Sequence, residues 1–183
     1  DGPRGERDMP GIEACRKVVA DIDWECEVHH NYQEKNYGCD PSEYMAQKCV
    51  FSLSDKCIVL EDDDVPAVSF FGFCKELLDK YEHDTRISMI AGFNNEEITP
   101  DITSDYFFAT SFSIWGWASW RRVTDQWDEF YTFLDDKENM RQLKNLIHTR
   151  RYGKDFIYMC QRHREHGKAY YETIFHASML FNS

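Results

Sequence analysis

Cys57-Ile58-Val59-Leu60-Glu61-Asp62-Asp63-Asp64 carries the reading of this chain, because a continuous apolar run turns at once into four adjacent carboxylates. A short uninterrupted apolar run is the pattern of a strand buried on both faces, as in α/β proteins whose sheets are covered by helices. Ligands of such sheets gather beyond the carboxyl ends of the strands, which is where Glu61 to Asp64 fall. Neighbouring carboxylates repel one another, and a hard cation offsets the repulsion through oxygen ligands. Mg2+ or Mn2+ would use one or two protein carboxylates and complete its shell with water and phosphate. A solvated acidic turn is the plainer alternative. A phosphatase of the haloacid dehalogenase type is demoted, since D-x-D-x-T/V counted from Asp62 ends on Pro66, and counted from Glu61 it would make a glutamate the nucleophile.

Alternating strand and helix patterns flank this run. Before it, a helix is expected over 12–21, a short strand over 25–29, and a helix over 41–53 with Asp40 as N-cap and Pro41 at its first position. After it come a helix over 67–81, strands over 86–91 and 106–113, and helices over 117–127, 135–148 and 155–166. The alternation predicts an α/β fold with a mostly parallel sheet flanked by helices. The 183 residues fit one domain. Asp1-Gly2-Pro3-Arg4 reads like a turn leaving an upstream strand, and the chain stops at Phe181-Asn182-Ser183 in an aromatic stretch. The expectation is a fragment that lacks its first strand.

The net charge of −12 argues against a nucleic-acid partner. An acidic chain can still take an anionic nucleotide when a divalent cation sits between them. No run approaches the roughly 18 apolar residues of a membrane helix, and no signal peptide is visible. Seven scattered cysteines without C-x-x-C spacing read as reduced, mostly core thiols. A cytoplasmic location is expected, including the inner face of a membrane.

The strand, the acidic run and the following Phe70-Phe71 resemble the metal-binding region of the N-acetylglucosaminyltransferase I group of GT-A glycosyltransferases. Three more pieces follow that family's order. Asp1-Gly2-Pro3-Arg4 is similar to the loop whose Asp contacts the uracil. Ala91-Gly92-Phe93-Asn94-Asn95 resembles the Asn-bearing loop after the metal site, and Trp115-Gly116-Trp117-Ala118-Ser119-Trp120 the Gly-Trp start of an acceptor-side helix. Bacterial nucleotide-diphospho-sugar transferases resemble these pieces more closely. The resemblance spans roughly the first 130 residues.

It implies a single domain over 1–183, with a donor-binding half at 1–95 and an acceptor-side half at 96–183, and the GT-A fold. It implies Asp63 as metal ligand; Asp64 departs from the family, which has an apolar residue there, and this extra carboxylate leaves open which of the two faces the metal. Glu61, Asp62, Asn94 and Arg4 would hold the donor, Asp1 its base, and Trp117 would line the acceptor site. Trp120 fits the core better, and Asn36-Tyr37-Gly38 either closes over the base or is a plain turn. The implied function is Mn2+- or Mg2+-dependent, inverting transfer from a nucleotide-diphosphate sugar, with a UDP-sugar favoured, to a glycan or other hydroxyl acceptor. A carboxylate must take the acceptor proton. Glu172, in Tyr171-Glu172, stands first for that role; Asp128 and Asp125 compete, and each could be an ordinary surface carboxylate. His163 and His166, three apart on a helix, read as a solvated face rather than a zinc site. Two other functions stay open: a sugar-1-phosphate nucleotidyltransferase, and a non-catalytic sugar-nucleotide-binding domain.

Overall fold

The computed structural model describes residues 1–94, 97, 99, 101–147 and 149–182, with the side chain of Arg150 excepted. Helix α1 spans Met9–Val19, α2 Cys39–Leu53, α3 Val68–Lys80, and α4 the single turn Arg121–Thr124; α5 covers Lys137–Leu146, α6 Arg150–His166 and α7 Tyr171–Asn182. Three strands are formed: β1 at Lys56–Val59, β2 at Ile90–Ala91 and β3 at Trp117–Trp120. Short 3-10 turns lie at Glu6–Asp8 and Thr132–Asp135.

The sheet has the order β1-β3-β2, and both pairings are antiparallel. The expected mostly parallel sheet is therefore not what forms. The reason is the stretch after Gly116, expected as a helix over 117–127. Trp117, Ala118, Ser119 and Trp120 are buried on both sides, so their spacing carries no period that separates strand from helix. They fill the gap between β1 and β2 instead, and only the single turn of α4 follows. Since β3 runs against both neighbours, β1 and β2 point the same way, and their carboxyl ends reach one edge of the sheet. Trp120 is locked in place by donating its indole N–H to the Leu78 carbonyl at 3.0 Å, and Ser119 donates to the Ser88 carbonyl at 2.7 Å.

Other expectations shift for local reasons. The helix α2 begins at Cys39, capped by Gly38 in a left-handed conformation at φ 91, so Asp40 and Pro41 sit inside its first turn. No strand forms over 25–29, which is exposed. None forms over 106–113 either, because Tyr106 packs on α3: it meets Phe73 and Tyr81 edge-on, and its hydroxyl receives Lys80 Nζ at 2.7 Å. The expected end of the 135–148 helix, His148, lies outside the described residues; α5 starts on Asp136, whose carboxylate accepts from Glu138 and Asn139 N–H. Helix α7 was not anticipated. It supplies Phe175, which packs against Trp117 and Trp127 at the centre of the core. The thiols divide: Cys74 and Cys160 are buried and Cys57 half-buried, but Cys15, Cys26, Cys39 and Cys49 are exposed, contrary to a mostly core placement, because they lie on outer faces of the first fifty residues. No helix of the described residues is long and apolar enough to cross a membrane.

Cys57 and Ser119 face each other across the β1–β3 pair. Directly opposed Cα atoms in antiparallel strands lie about 4.5–5.5 Å apart, within the range of about 4.4–6.8 Å that a disulfide spans. Oxidising the Ser119→Cys variant is expected to link positions 57 and 119, read by peptide mass spectrometry. Crosslinking only to other cysteines would contradict the register.

Candidate functional site

The functional region grows from the sheet edge where β1 and β2 end and β3 begins. Gly116, immediately before β3, accepts the Gly92 N–H at 2.8 Å just after β2. Gly92 is required by crowding and Gly116 by its backbone conformation. A Cβ on Gly92 would lie 2.4 Å from the Phe70 ring, and Gly116 adopts φ +71 with Leu60 and Phe70 side chains at 3.5 and 3.6 Å from its Cβ position. The same position lies 3.9 Å from Asp64 Oδ2. Three segments far apart in sequence, the acidic run, the loop from Gly92 and the turn at Gly116, thus converge through small residues.

The acidic run forms a tight turn. Asp64 N–H donates to the Glu61 carbonyl at 3.2 Å, and Asp64 Oδ2 accepts the Glu61 N–H at 3.0 Å. Asp62 and Asp63 are exposed. Asp63 and Asp64 line a cleft of roughly 1560 Å3, which also takes in Asn94, Phe70, Phe93 and Trp115. That is larger than the usual 300–1,000 Å3 of a small-ligand pocket. Phe93 and Trp115 meet edge-to-face at 5.0 Å and are 45% and 51% exposed, so they offer open aromatic surface beside the carboxylates. Asn94 lies on the cleft and donates to Thr99 Oγ1 at 3.0 Å. Its expected partner Asn95 lies outside the described residues. Among the described residues, no three His, Cys, Asp or Glu side chains are grouped as metal ligands. A pair of carboxylate oxygens still suits a cation that takes one or two protein carboxylates and completes its shell with phosphate.

Glu61 turns toward a second group of carboxylates. Tyr171, buried at the start of α7, donates its hydroxyl to Glu61 Oε1 at 3.4 Å. Burial raises the pKa of Glu61, and the charges of Glu43 and Asp64 raise it further. Burial likewise raises that of Glu172, with Asp40, Glu43 and Glu61 adding to it. Cys39, whose thiol donates to Glu43 at 2.9 Å, is pushed up to about 12 by that bond and by burial. The amino ends of α2 and α7 and the end of β1 therefore bring Asp40, Glu43, Glu61 and Glu172 into mutual electrostatic range. Glu172 is close to this group and is not part of the cleft lining.

The remaining expected residues separate. Asp1 closes the chain start onto residues 37–38, accepting Tyr37 N–H at 3.0 Å and Gly38 N–H at 3.1 Å, so it does meet the segment thought to close over a base. Gly2 has no room for a side chain there, since its Cβ would lie 2.5 Å from the Gln33 carbonyl oxygen. Arg4 is exposed and paired with Asp8 at 3.0 Å. Trp117 has no exposed surface and packs between Phe51 and Phe175, so the tryptophan on the cleft is Trp115, two residues earlier. Trp120 is a core residue, as expected. Asp128 is occupied by the backbone N–H groups of Phe130 and Thr132 and by the Thr132 hydroxyl, and Asp125 is exposed. His163 is not on a solvated face: it stacks on Tyr170 at 3.8 Å and meets Thr173 Oγ1 at 2.8 Å. Tyr171 and Thr173 were missed because the amino terminus of α7 carries no cap signal in the sequence. No protein-family model, curated protein or solved structure matches the chain.

A carboxyl whose folded pKa exceeds its unfolded value contributes stability below the unfolded pKa that is lost as pH rises through the folded one. Glu172 is such a group. Glu172→Gln is therefore expected to raise the Tm at pH 7. Near pH 4 the gain should disappear. Melting curves from pH 4 to 8 decide it, and an unchanged Tm at pH 7 would refute the burial argument.

Proposed function

We propose that this chain is the nucleotide-sugar-binding part of a metal-dependent, inverting glycosyltransferase of the GT-A type. The observation that carries the proposal is the meeting of Asp63 and Asp64 with the Gly92–Asn94 loop and Trp115 on one cleft at the carboxyl ends of β1 and β2. Strand ends of this kind are where nucleotide ligands settle in α/β proteins. Exposed aromatic faces beside carboxylates suit sugar rings, whose apolar faces pack on them while their hydroxyls reach polar neighbours.

Asp63 and Asp64 are the residues that would hold Mn2+ or Mg2+, and a divalent cation there supplies Lewis-acid neutralisation of the charge on a leaving diphosphate. Asp63 is the freer of the two, since Asp64 also accepts a backbone N–H. Glu61, held by Tyr171 and by its own turn outside the cleft lining, is assigned to the donor hydroxyls. Glu172 is assigned the proton of the acceptor hydroxyl. Its partial burial raises its pKa toward neutrality, which improves a carboxylate as a base at working pH. Asn94 and Trp115 are assigned to the sugars in the cleft, and a UDP-sugar is the favoured donor.

Thermal shifts with UDP, GDP, CDP and their sugars test the reading, each with Mn2+ and with chelator. A ligand at about 100 times its Kd adds roughly 2.7 kcal/mol. A shift with one nucleotide that needs metal, lost in Asp63→Ala, is the expected outcome; metal-independent binding would favour a non-catalytic domain. Release of pyrophosphate instead of nucleoside diphosphate would identify a nucleotidyltransferase. Glu172→Gln is expected to spare the metal-dependent shift and to lower transfer on the order of 10²–10⁴-fold, the usual contribution of a general base. Undiminished transfer would remove Glu172 from that role.

A further inference from the structure

The amino terminus of α7 is held by a hydrogen-bond hub that the chemistry assigned to Glu172 does not itself use. Thr173 is 4% exposed. Its Oγ1 lies 2.7 Å from the Tyr131 hydroxyl, 2.8 Å from His163 Nδ1 and 3.1 Å from the Tyr170 carbonyl. A hydroxyl has one proton and two lone pairs, and a carbonyl can only accept. The Tyr131 hydroxyl also reaches the Tyr170 carbonyl at 3.4 Å, so that carbonyl accepts from Thr173 or Tyr131 and the four groups form one connected network. The Thr173 oxygen is shared by all three partners, one of them His163 Nδ1. The same Tyr170 carbonyl accepts the Ile174 N–H at 3.2 Å and so closes the first turn of α7.

Tyr131 reaches this hub from a left-handed backbone conformation, φ 50. That conformation costs a non-glycine residue energy and persists only where the surroundings determine it. Its ring is fully buried, and the turn behind it is tied down by Asp128. The hub thus joins three separate elements, the turn at residue 131, α6 and α7, immediately beside Tyr171 and Glu172.

We propose that Thr173 is a positioning residue: its hydroxyl sets the first turn of α7 and thereby the placement of Tyr171 and Glu172 against Glu61. This role rests on the reading of Glu172 as the base of sugar transfer. Thr173 touches no reacting group itself. It acts through its neighbours, and a displacement of about 1 Å in a reacting group can cost on the order of 10²-fold in rate.

The test compares Thr173→Val, which keeps the shape and loses the hydroxyl, with Thr173→Ser, which keeps the hydroxyl and loses a methyl group. Two measurements are made on each folded protein: kcat and KM for transfer from the UDP-sugar, and the 15N signals of the His163 ring without substrate. Positioning predicts that Val lowers kcat on the order of ten- to a hundredfold with little change in donor KM. It also predicts that Val shifts the His163 signals, and that Ser restores both. Simple packing predicts the reverse order, with Val equal to the parent and Ser impaired, and would overturn the proposal. Unmoved His163 signals in the Val variant would overturn the hub itself. If the signals behave as expected but the parent transfers no sugar, the transferase reading fails, and the assigned role of Thr173 fails with it.

Discussion

The central strand governs this molecule. Because β3 lies between β1 and β2 and runs against both, it forces those two strands to point the same way and deliver their carboxyl ends to one edge. Four residues do this, and all four are buried. Burying Trp117 and Trp120 supplies the driving force, at roughly 25 cal/mol per Å2 of apolar surface removed from water. The hydrogen bonds from Trp120 to Leu78 and from Ser119 to Ser88 fix how β3 sits against its surroundings. Gly116 then lets the chain enter β3 at positive φ with Leu60 and Phe70 in contact, and Gly92 leaves the space that the Phe70 ring occupies. A cleft with carboxylates on its wall follows from those packing constraints before any ligand is considered.

The second organising feature is electrostatic. Asp40, Glu43, Glu61 and Glu172 come together at the amino ends of α2 and α7, where unpaired N–H groups and the helix macrodipole favour negative charge. That partial positive charge offsets some of the repulsion, but burial first and the neighbouring carboxylates second still push Glu61 and Glu172 toward their protonated forms. Carboxyl groups perturbed in this way cluster at functional sites in proteins generally, and structural networks perturb them too.

Much of this was legible in the sequence wherever one periodicity dominated. Residues 57–60 read as a strand through their continuous apolar run, and 67–81 as a helix, within a residue or two of what forms. The acidic run could be put at a strand end for the same reason. Residues 117–120 could not be read, because a segment buried on every side shows no alternation. The parallel sheet was a consequence of that misreading. Trp115, not Trp117, meets the cleft: spacing cannot say which of two nearby indoles meets solvent, whereas the turn at Gly116 decides it. The hub around Thr173 depends on Tyr131, His163 and Tyr170 meeting across three elements, and no local pattern encodes such a meeting. His163 looked like a surface residue because its sequence neighbours Arg162 and Arg164 are charged and exposed.

The most direct measurement of the central claim is a titration of Mn2+ by electron paramagnetic resonance, with and without UDP, on the parent protein. Coupling between two ligands is reciprocal, so a nucleotide that needs the metal must also tighten it by the same factor. The account predicts weak Mn2+ binding alone and binding at least tenfold tighter with UDP, a coupling of about 1.4 kcal/mol or more. Mn2+ affinity that is indifferent to UDP, in a protein that binds UDP, would contradict a shared site at Asp63 and Asp64.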